Sequence, residues 1–314
     1  MSDAFDIVTI GRVGVDLYPE QTGVPLAKVR TFAKSLGGSP TNVAVGAARL
    51  GHRAAVITKV GDDGFGAYVR EALAGFGVDT RWVGTDPTLR TPVVFAEVFP
   101  PDRFPVLFYR EPRAPDMNIR VEELDRAAIG RAGLVWTTGV GLSDEPSRTA
   151  TLAVLESATG VRVHDLDHRP VLWRSTEDAR RWAREAAKRA TVVVGNEDEV
   201  EMATATRDAD RAMDALLGIG PELVVVKRGG EGAVARRGDE RVAVPGVRVD
   251  VLCGLGAGDA FGAALCHGLL ARWPLARVLA FANAAGAIVA SRLACADAMP
   301  TEAEVDAILA RSVT

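Results

Sequence analysis

Val249-Asp-Val-Leu-Cys-Gly-Leu-Gly-Ala-Gly-Asp259-Ala-Phe-Gly-Ala263 is the most informative stretch of this chain. A strand-like run ends, the small residues Gly256, Ala257 and Gly258 permit close backbone approach, and an Ala-rich helical segment begins. The first turn of a helix has N–H groups without carbonyl partners, and the helix dipole adds partial positive charge there. Such a turn stabilises a phosphoryl group in transfer. A carboxylate is odd company for a phosphate, but Asp259 makes sense as a base that takes a proton from an attacking hydroxyl. The competing reading is that Asp259 only caps the helix. No GK[ST] follows the glycines, so this is not a Walker-type loop. Gly11-Arg-Val-Gly14 lacks the third glycine of a dinucleotide fingerprint, which makes a nicotinamide-dependent enzyme a poor fit.

Outward from this loop, apolar strand signals alternate with helical stretches. Strands are expected at Phe5–Gly11, Ala54–Val60, Leu134–Thr138, Val161–Asp165, Thr191–Val194 and Leu223–Lys227. Helices are expected at Thr41–Leu50, Phe65–Phe76, Pro146–Ala158 and Thr176–Ala190, and Val278–Val289 reads as a buried helix. That alternation predicts an α/β fold with a parallel sheet covered on both faces. Val13–Phe32 is rich in turn residues, and Thr91–Tyr109 alternates like antiparallel strands. Neither offers a helix for a second face, so both are expected to form a small sheet standing off the main one, as a lid over a site that must exclude water. An edge hairpin or a dimer surface is the plainer reading. One domain over 1–314 is expected, with lid segments at about 12–36 and 89–112.

The chain has 314 residues, 48% of them apolar, and a net charge of −4 from 37 basic and 41 acidic side chains. No basic block stands out, which argues against a nucleic-acid partner. Cys253, Cys266 and Cys295 form no CxxC pair, so neither a zinc site nor a disulfide framework is expected. A cytoplasmic setting follows from that usage. The first residues show no basic segment followed by an apolar run, and no stretch is long enough to span a bilayer; no leader and no membrane partner are expected.

Read with the rest, the loop resembles the ribokinase/PfkB family of carbohydrate kinases. Four motifs fall in the family's order: Gly37-Gly38-Ser39-Pro40-Thr41-Asn42, Asn196-Glu-Asp-Glu199, Lys227-Arg-Gly229-Gly-Glu-Gly232 and Gly256-Ala257-Gly258-Asp259. The resemblance implies a ribokinase-like three-layer α/β/α sandwich with a small β-sheet lid. It implies Asp259 as catalytic base, the amides of Gly256, Ala257 and Gly258 as an anion hole, and ATP with Mg²⁺ as the phosphoryl source. Asn196, Lys227, Gly229, Gly232 and Asn283 would border the nucleotide, and Glu199 would order Mg²⁺ through water. Asp16, Gly38 and Asn42 would bind sugar hydroxyls. Read alone, Asn42 is a helix cap, Glu199 a first-turn acid, Lys227 a strand-end cation and Asn283 a helix–helix hydrogen bond. K⁺ is a further implied cofactor, but the family's usual Asp-Thr-Thr before the loop is Cys253-Gly254-Leu255 here, which leaves backbone carbonyls and removes side-chain contacts.

The acceptor is read from Phe108-Tyr109-Arg110 and Asp165-Leu-Asp167-His168-Arg169-Pro170. Arg110 and Arg169 are expected to clamp a carboxylate, which two guanidiniums match well, with Tyr109 beside them. Surface or phosphate-side ion pairing is the alternative for both, and Arg12 is a third candidate. Within the family these elements, with Gly11–Gly23, resemble those of members acting on acidic keto sugars. The implied reaction is phosphorylation of a primary hydroxyl of a keto sugar acid, with 5-dehydro-2-deoxygluconate from inositol catabolism as the expected substrate. The alternatives are 2-keto-3-deoxygluconate, a neutral sugar, or a non-catalytic sugar- or nucleotide-binding regulator. A homodimer through the lid is a further expectation.

Overall fold

Ile7–Ile10 and Ala54–Gly61 bury every side chain, as strands covered on two faces must. The computed structural model describes residues 4–312; residues 1–3 and 313–314 of the expected 1–314 span lie outside the described residues. The strands are β1 (Ile7–Ile10), β2 (Gly14–Pro19), β3 (Phe32–Gly37), β4 (Ala54–Gly61), β5 (Val83–Asp86), β6 (Val93–Ala96), β7 (Val106–Tyr109), β8 (Leu134–Thr138), β9 (Val161–Asp165), β10 (Val192–Asn196), β11 (Leu223–Lys227), β12 (Ala233–Arg237) and β13 (Glu240–Val244). Nine of them form one sheet in the order β13-β12-β11-β10-β9-β8-β1-β4-β5. The strands from β11 to β5 run parallel, with Ile7 of β1 opposite Ala54 of β4 and Leu134 of β8. At the other edge β12 and β13 turn back antiparallel; the sequence reading names no strand there.

Helices cover both faces. On one, Ser39–Arg49, Ala257–Leu270 and Leu275–Ala290 pack on the sheet. Their Ala- and Gly-rich sequences let backbones approach: a Cβ added at Gly46 would lie 2.6 Å from that of Ala263, and one at Gly262 2.5 Å from the Trp136 ring. This contact carries the start of one helix onto the start of the other, and Asn42 onto Asp259. The opposite face holds Ser147–Ser157, Thr176–Ala187, Glu197–Thr204 and Ala209–Leu217 over two further apolar clusters. No helix among the described residues is long and apolar enough to cross a membrane.

The remaining strands form a separate sheet, β3-β2-β6-β7. The turn-rich first insertion contains β2 and leads into β3, and the second contributes the antiparallel pair β6–β7. The two insertions join through β2 and β6, which are parallel. Asp16, Val94 and Phe108 stand in one cross-strand row. Because side chains alternate along a strand, that row and its i±2 neighbours share one face, while Leu17, Phe95 and Leu107 take the other.

Candidate active site

Parallel strands gather their useful residues at their C-terminal ends. Gly11 follows β1, Asp165 ends β9, Asn196 ends β10 and Lys227 ends β11. Two cavities open there. The larger, about 810 Å³, is lined by the Gly256–Asp259 turn, Asn196, Glu199, Lys227 and Asn283. The smaller, about 80 Å³, lies under the small sheet between Asp16, Asn42, Phe108 and three arginines. Ser39, Arg169, Leu255, Gly256 and Asp259 line both, so the cavities meet at the phosphate-loop turn.

Gly256 is the N-cap residue of the Ala257–Leu270 helix and sits at φ +83°, a left-handed conformation that glycine adopts without cost. It supplies no side-chain cap, so first-turn amides are left for the cavity, although Ala257 N–H makes a long 3.4 Å bond to Gly254 carbonyl. Asp259 does not cap this helix: its carboxylate accepts from Asn42 Nδ2 at 2.7 Å and from Ser39 on the neighbouring helix. Burial pushes its pKa up to about 6, against those two hydrogen bonds. A carboxyl poised there is mostly ionised at neutral pH and so able to accept a proton.

In the smaller cavity Asp16 projects from β2, and burial pushes it up to about 7 although Arg12 pulls it down. Gly38 has φ +104°, and a Cβ there would lie 2.3 Å from Arg12 carbonyl, so only glycine fits. Asn42 donates to Asp259 while its buried Oδ1 has no partner, leaving an acceptor on the cavity wall.

The paired clamp expected of Arg110 and Arg169 is built differently. Both line the cavity, but Arg110 is bound by both Nη atoms to Asp116, at 2.5 and 3.2 Å, and Asp116 is fully enclosed. Arg169 is 45% exposed and donates to Asp167 at 3.1 Å. Asp167 also receives Arg12 Nη2 at 3.5 Å. Burial would raise Asp167, but Arg169 and Arg12 together hold it below the usual carboxylate range. Tyr109 is a correction. It lies on the outer face, 61% exposed and packed edge-on against Phe95, while its neighbour Phe108 lines the cavity. Adjacent residues on a strand point oppositely, so one of the pair had to face away.

On the larger cavity, Asn196 accepts from Glu199 N–H and Glu199 returns a bond to Asn196 N–H, a reciprocal capping box. Burial pushes Glu199 up to about 7, with Lys227 opposing. Lys227 itself loses charge stability by burial, yet Asp165 and Glu199 outweigh this and hold it well above its ordinary value; Nζ lies 3.2 Å from Asp165. Gly229 and Gly232 border the same cavity. Asn283 does not bond another helix; its Nδ2 donates to the carbonyls of Val244 and Pro245, securing the segment that walls this cavity. Gly254 and Leu255 border it too, with Phe104 from the β6–β7 connection lying against Gly254. No cluster of three His, Cys, Asp or Glu side chains suited to a metal occurs among the described residues. A Mg²⁺ carried by phosphates needs only one or two carboxylates besides water, and Glu199 on the cavity wall beside Asn196 fits that donor set.

Asp165, Asp167, Ser39, Phe108 and Asp116 receive no role from the sequence reading. Their signal was present in part: two aspartates at a strand end are costly to bury unless they hold cations.

Two joined cavities, a helix N-terminus and a shared carboxyl define a phosphotransferase-type site on an α/β sandwich. The chain belongs to the pfkB family of carbohydrate kinases, whose pattern matches residues 4–302. It is 32% identical to the 5-dehydro-2-deoxygluconokinase of Halalkalibacterium halodurans, over 99% of this chain and 96% of that protein. A sugar kinase of Pyrococcus horikoshii in complex with ATP superposes with a TM-score of 0.82 at 30% identity, covering 96% and 99% of the two chains. A fructokinase variant of Vibrio cholerae holding fructose, ADP and potassium ion gives 0.87 at 26%, covering 98% and 100%. The chain is therefore a carbohydrate kinase with the ribokinase-like fold.

Proposed function

We propose that this kinase transfers the γ-phosphoryl group of ATP to the primary hydroxyl of a keto sugar acid, 5-dehydro-2-deoxygluconate. The observation that carries the reading is Asp259, set where a small cavity with three guanidiniums meets a large one at a helix N-terminus. The names of relatives 32% identical over nearly the whole chain support the substrate.

The sugar lies under the small sheet, which acts as the lid, with hydroxyls on Asp16 and Asn42 and close passage over Gly38. ATP lies in the larger cavity against Lys227, Gly229, Gly232 and Asn283. Asp259 takes the hydroxyl proton, and that oxygen bonds to the γ-phosphorus as the bond to the β,γ-bridging oxygen breaks and ADP leaves. Amides of Gly256, Ala257 and Gly258 stabilise the charge on the transferring group. Glu199 and Asn196 would hold Mg²⁺ through water, and the ion supplies neutralisation of phosphate charge. Arg169, lining both cavities, spans the sugar and the γ-phosphate.

ADP release with Mg-ATP over a panel of keto sugar acids and neutral sugars tests the reading. Turnover of 5-dehydro-2-deoxygluconate above fructose and ribose is expected; a protein active on neutral sugars alone, or on none, refutes it. Asp259→Asn should lower kcat by at least roughly 10³-fold with sugar binding kept, since a general base acts only in the transition state.

A further inference from the structure

The smaller cavity has three arginines and only two carboxylates directly paired with them. Arg110 is cancelled by Asp116. Arg12 and Arg169 share Asp167, so two guanidiniums are directly paired with one carboxylate. Arg169 is half-exposed and lines the larger cavity as well. Arg12 is not: it is 9% exposed, its one side-chain hydrogen bond among the described residues is the 3.5 Å contact to Asp167, and its buried Nε has no partner. Its guanidinium lies 5.8 Å from the Phe108 ring centroid, between the lid strand and the floor of the cavity. Burial lowers its pKa, with Asp167 opposing.

A desolvated guanidinium with free donors is unfavourable in the empty protein and is kept only where something else supplies its partner. Asp16 and Asp259, the other acidic groups on this cavity, act on Arg12 only through space, with no hydrogen bond to it among the described residues, and in the proposed reaction both engage sugar hydroxyls. We propose that Arg12 is the specificity-determining contact for the acceptor's carboxylate, its guanidinium held over the Phe108 ring and its position set by Asp167. Arg110 supports the wall instead of binding the acid. This rests on the sugar-acid reading and adds to it which cation makes the choice.

The test uses the full chain, 5-dehydro-2-deoxygluconate, saturating Mg-ATP and two variants. A charge-assisted hydrogen bond lost from a dry site corresponds to roughly 10- to 150-fold in affinity. Arg12→Met should raise KM for the sugar acid by that factor, with kcat and KM for ATP within about threefold. It should melt no lower than wild type, because it removes an under-paired buried charge. Arg12→Lys keeps the charge but loses the fork, and should raise the sugar KM at least about fivefold. An unchanged sugar KM in either folded variant overturns the proposal. So does an equal rise in KM for ATP, or a lower melting temperature with no sugar effect, both marks of a structural residue. Wild type acting only on neutral sugars sinks the substrate reading itself, before any variant is compared.

Discussion

Arg110→Met separates a wall residue from a substrate contact. The guanidinium is 6% exposed and Asp116 is fully enclosed; the two are joined by bonds of 2.5 and 3.2 Å. Asp116 also accepts from Val13 N–H at 3.1 Å, so it ties the end of β7 to the chain leaving β1 and fastens the small sheet to the large one. Removing one partner of such a pair leaves an uncompensated buried charge and costs about 3–5 kcal/mol. At about 2.1 cal/mol/K per residue, a chain of 314 residues has an unfolding entropy of roughly 0.7 kcal/mol/K. The melting temperature should therefore fall by about 5–8 °C, read by scanning calorimetry or fluorimetry at pH 7.5.

The double variant Arg110→Met, Asp116→Asn decides why. Asn keeps an oxygen for Val13 N–H and removes the stranded charge, so most of the loss should return. In the double variant the preference for acidic over neutral sugars should stay within about threefold of wild type, because a guanidinium and the carboxylate that cancels it are removed together. A single variant melting within about 2 °C of wild type, or a double variant no better than the single, refutes the pairing argument. A collapse of acid preference would put Arg110 on the substrate and return the clamp to its expected form.

Three further outcomes follow from the same geometry. With Asp259 raised to about 6 and required as a carboxylate, kcat/KM should be full above pH 7 and fall about tenfold per unit below 6; a limb centred near 4 would remove Asp259 as base. Phe104 lies against Gly254 on the nucleotide cavity, so Phe104→Ala should raise KM for ATP roughly fivefold, about 1 kcal/mol of apolar contact, and leave sugar binding unchanged; equal effects on both substrates would show a global disturbance. Buried His164 is lowered by burial to about 4, below its unfolded 6.5, so its contribution is full above 6.5 and lost as pH falls. The stability gap between wild type and His164→Gln should shift by about 2 kcal/mol between pH 7 and 5, against the wild type at low pH, and a constant gap in denaturant titrations would refute the assignment.

The parallel part of the fold was legible because its strands are continuous apolar runs: Leu134–Thr138, Val161–Asp165 and Leu223–Lys227 are found with the expected bounds. The antiparallel edge β12–β13 was not, since Ala233–Val244 is short, interrupted by Gly238 and charged on its exposed face, a pattern shared with surface loops. The glycine turn that opens a helix after Gly256 was legible from local composition, its phosphate role being implied by the family resemblance. The clamp was not, because a guanidinium's availability depends on its nearest carboxylate, and Arg12 and Asp167 are 155 positions apart in the chain. Tyr109 failed for a simpler reason: an aromatic-Arg pair on a strand does not say which residue faces inward until the register is known.

Asp165 and Asp167 explain how one strand end serves two cavities. In an extended strand, residues i and i+2 lie on one face and their carboxylates would repel across a short gap. Here Asp167 has φ +25°, a conformation a non-glycine residue holds only when its surroundings over-determine it. Its N–H donates to Asp165 Oδ1 at 3.2 Å, which fixes the turn and offsets part of that repulsion. The turn takes each carboxylate to different cations: Asp165 to Lys227 on the larger cavity, Asp167 to Arg12 and Arg169 on the smaller. Five buried or half-buried groups, three cations and two anions, are thereby joined in direct ion pairs, and the two guanidiniums that share one carboxylate line the smaller cavity. A strained aspartate is thus the device that sets two guanidiniums around one carboxylate beneath the small sheet, the placement that the proposed choice of an acidic sugar requires.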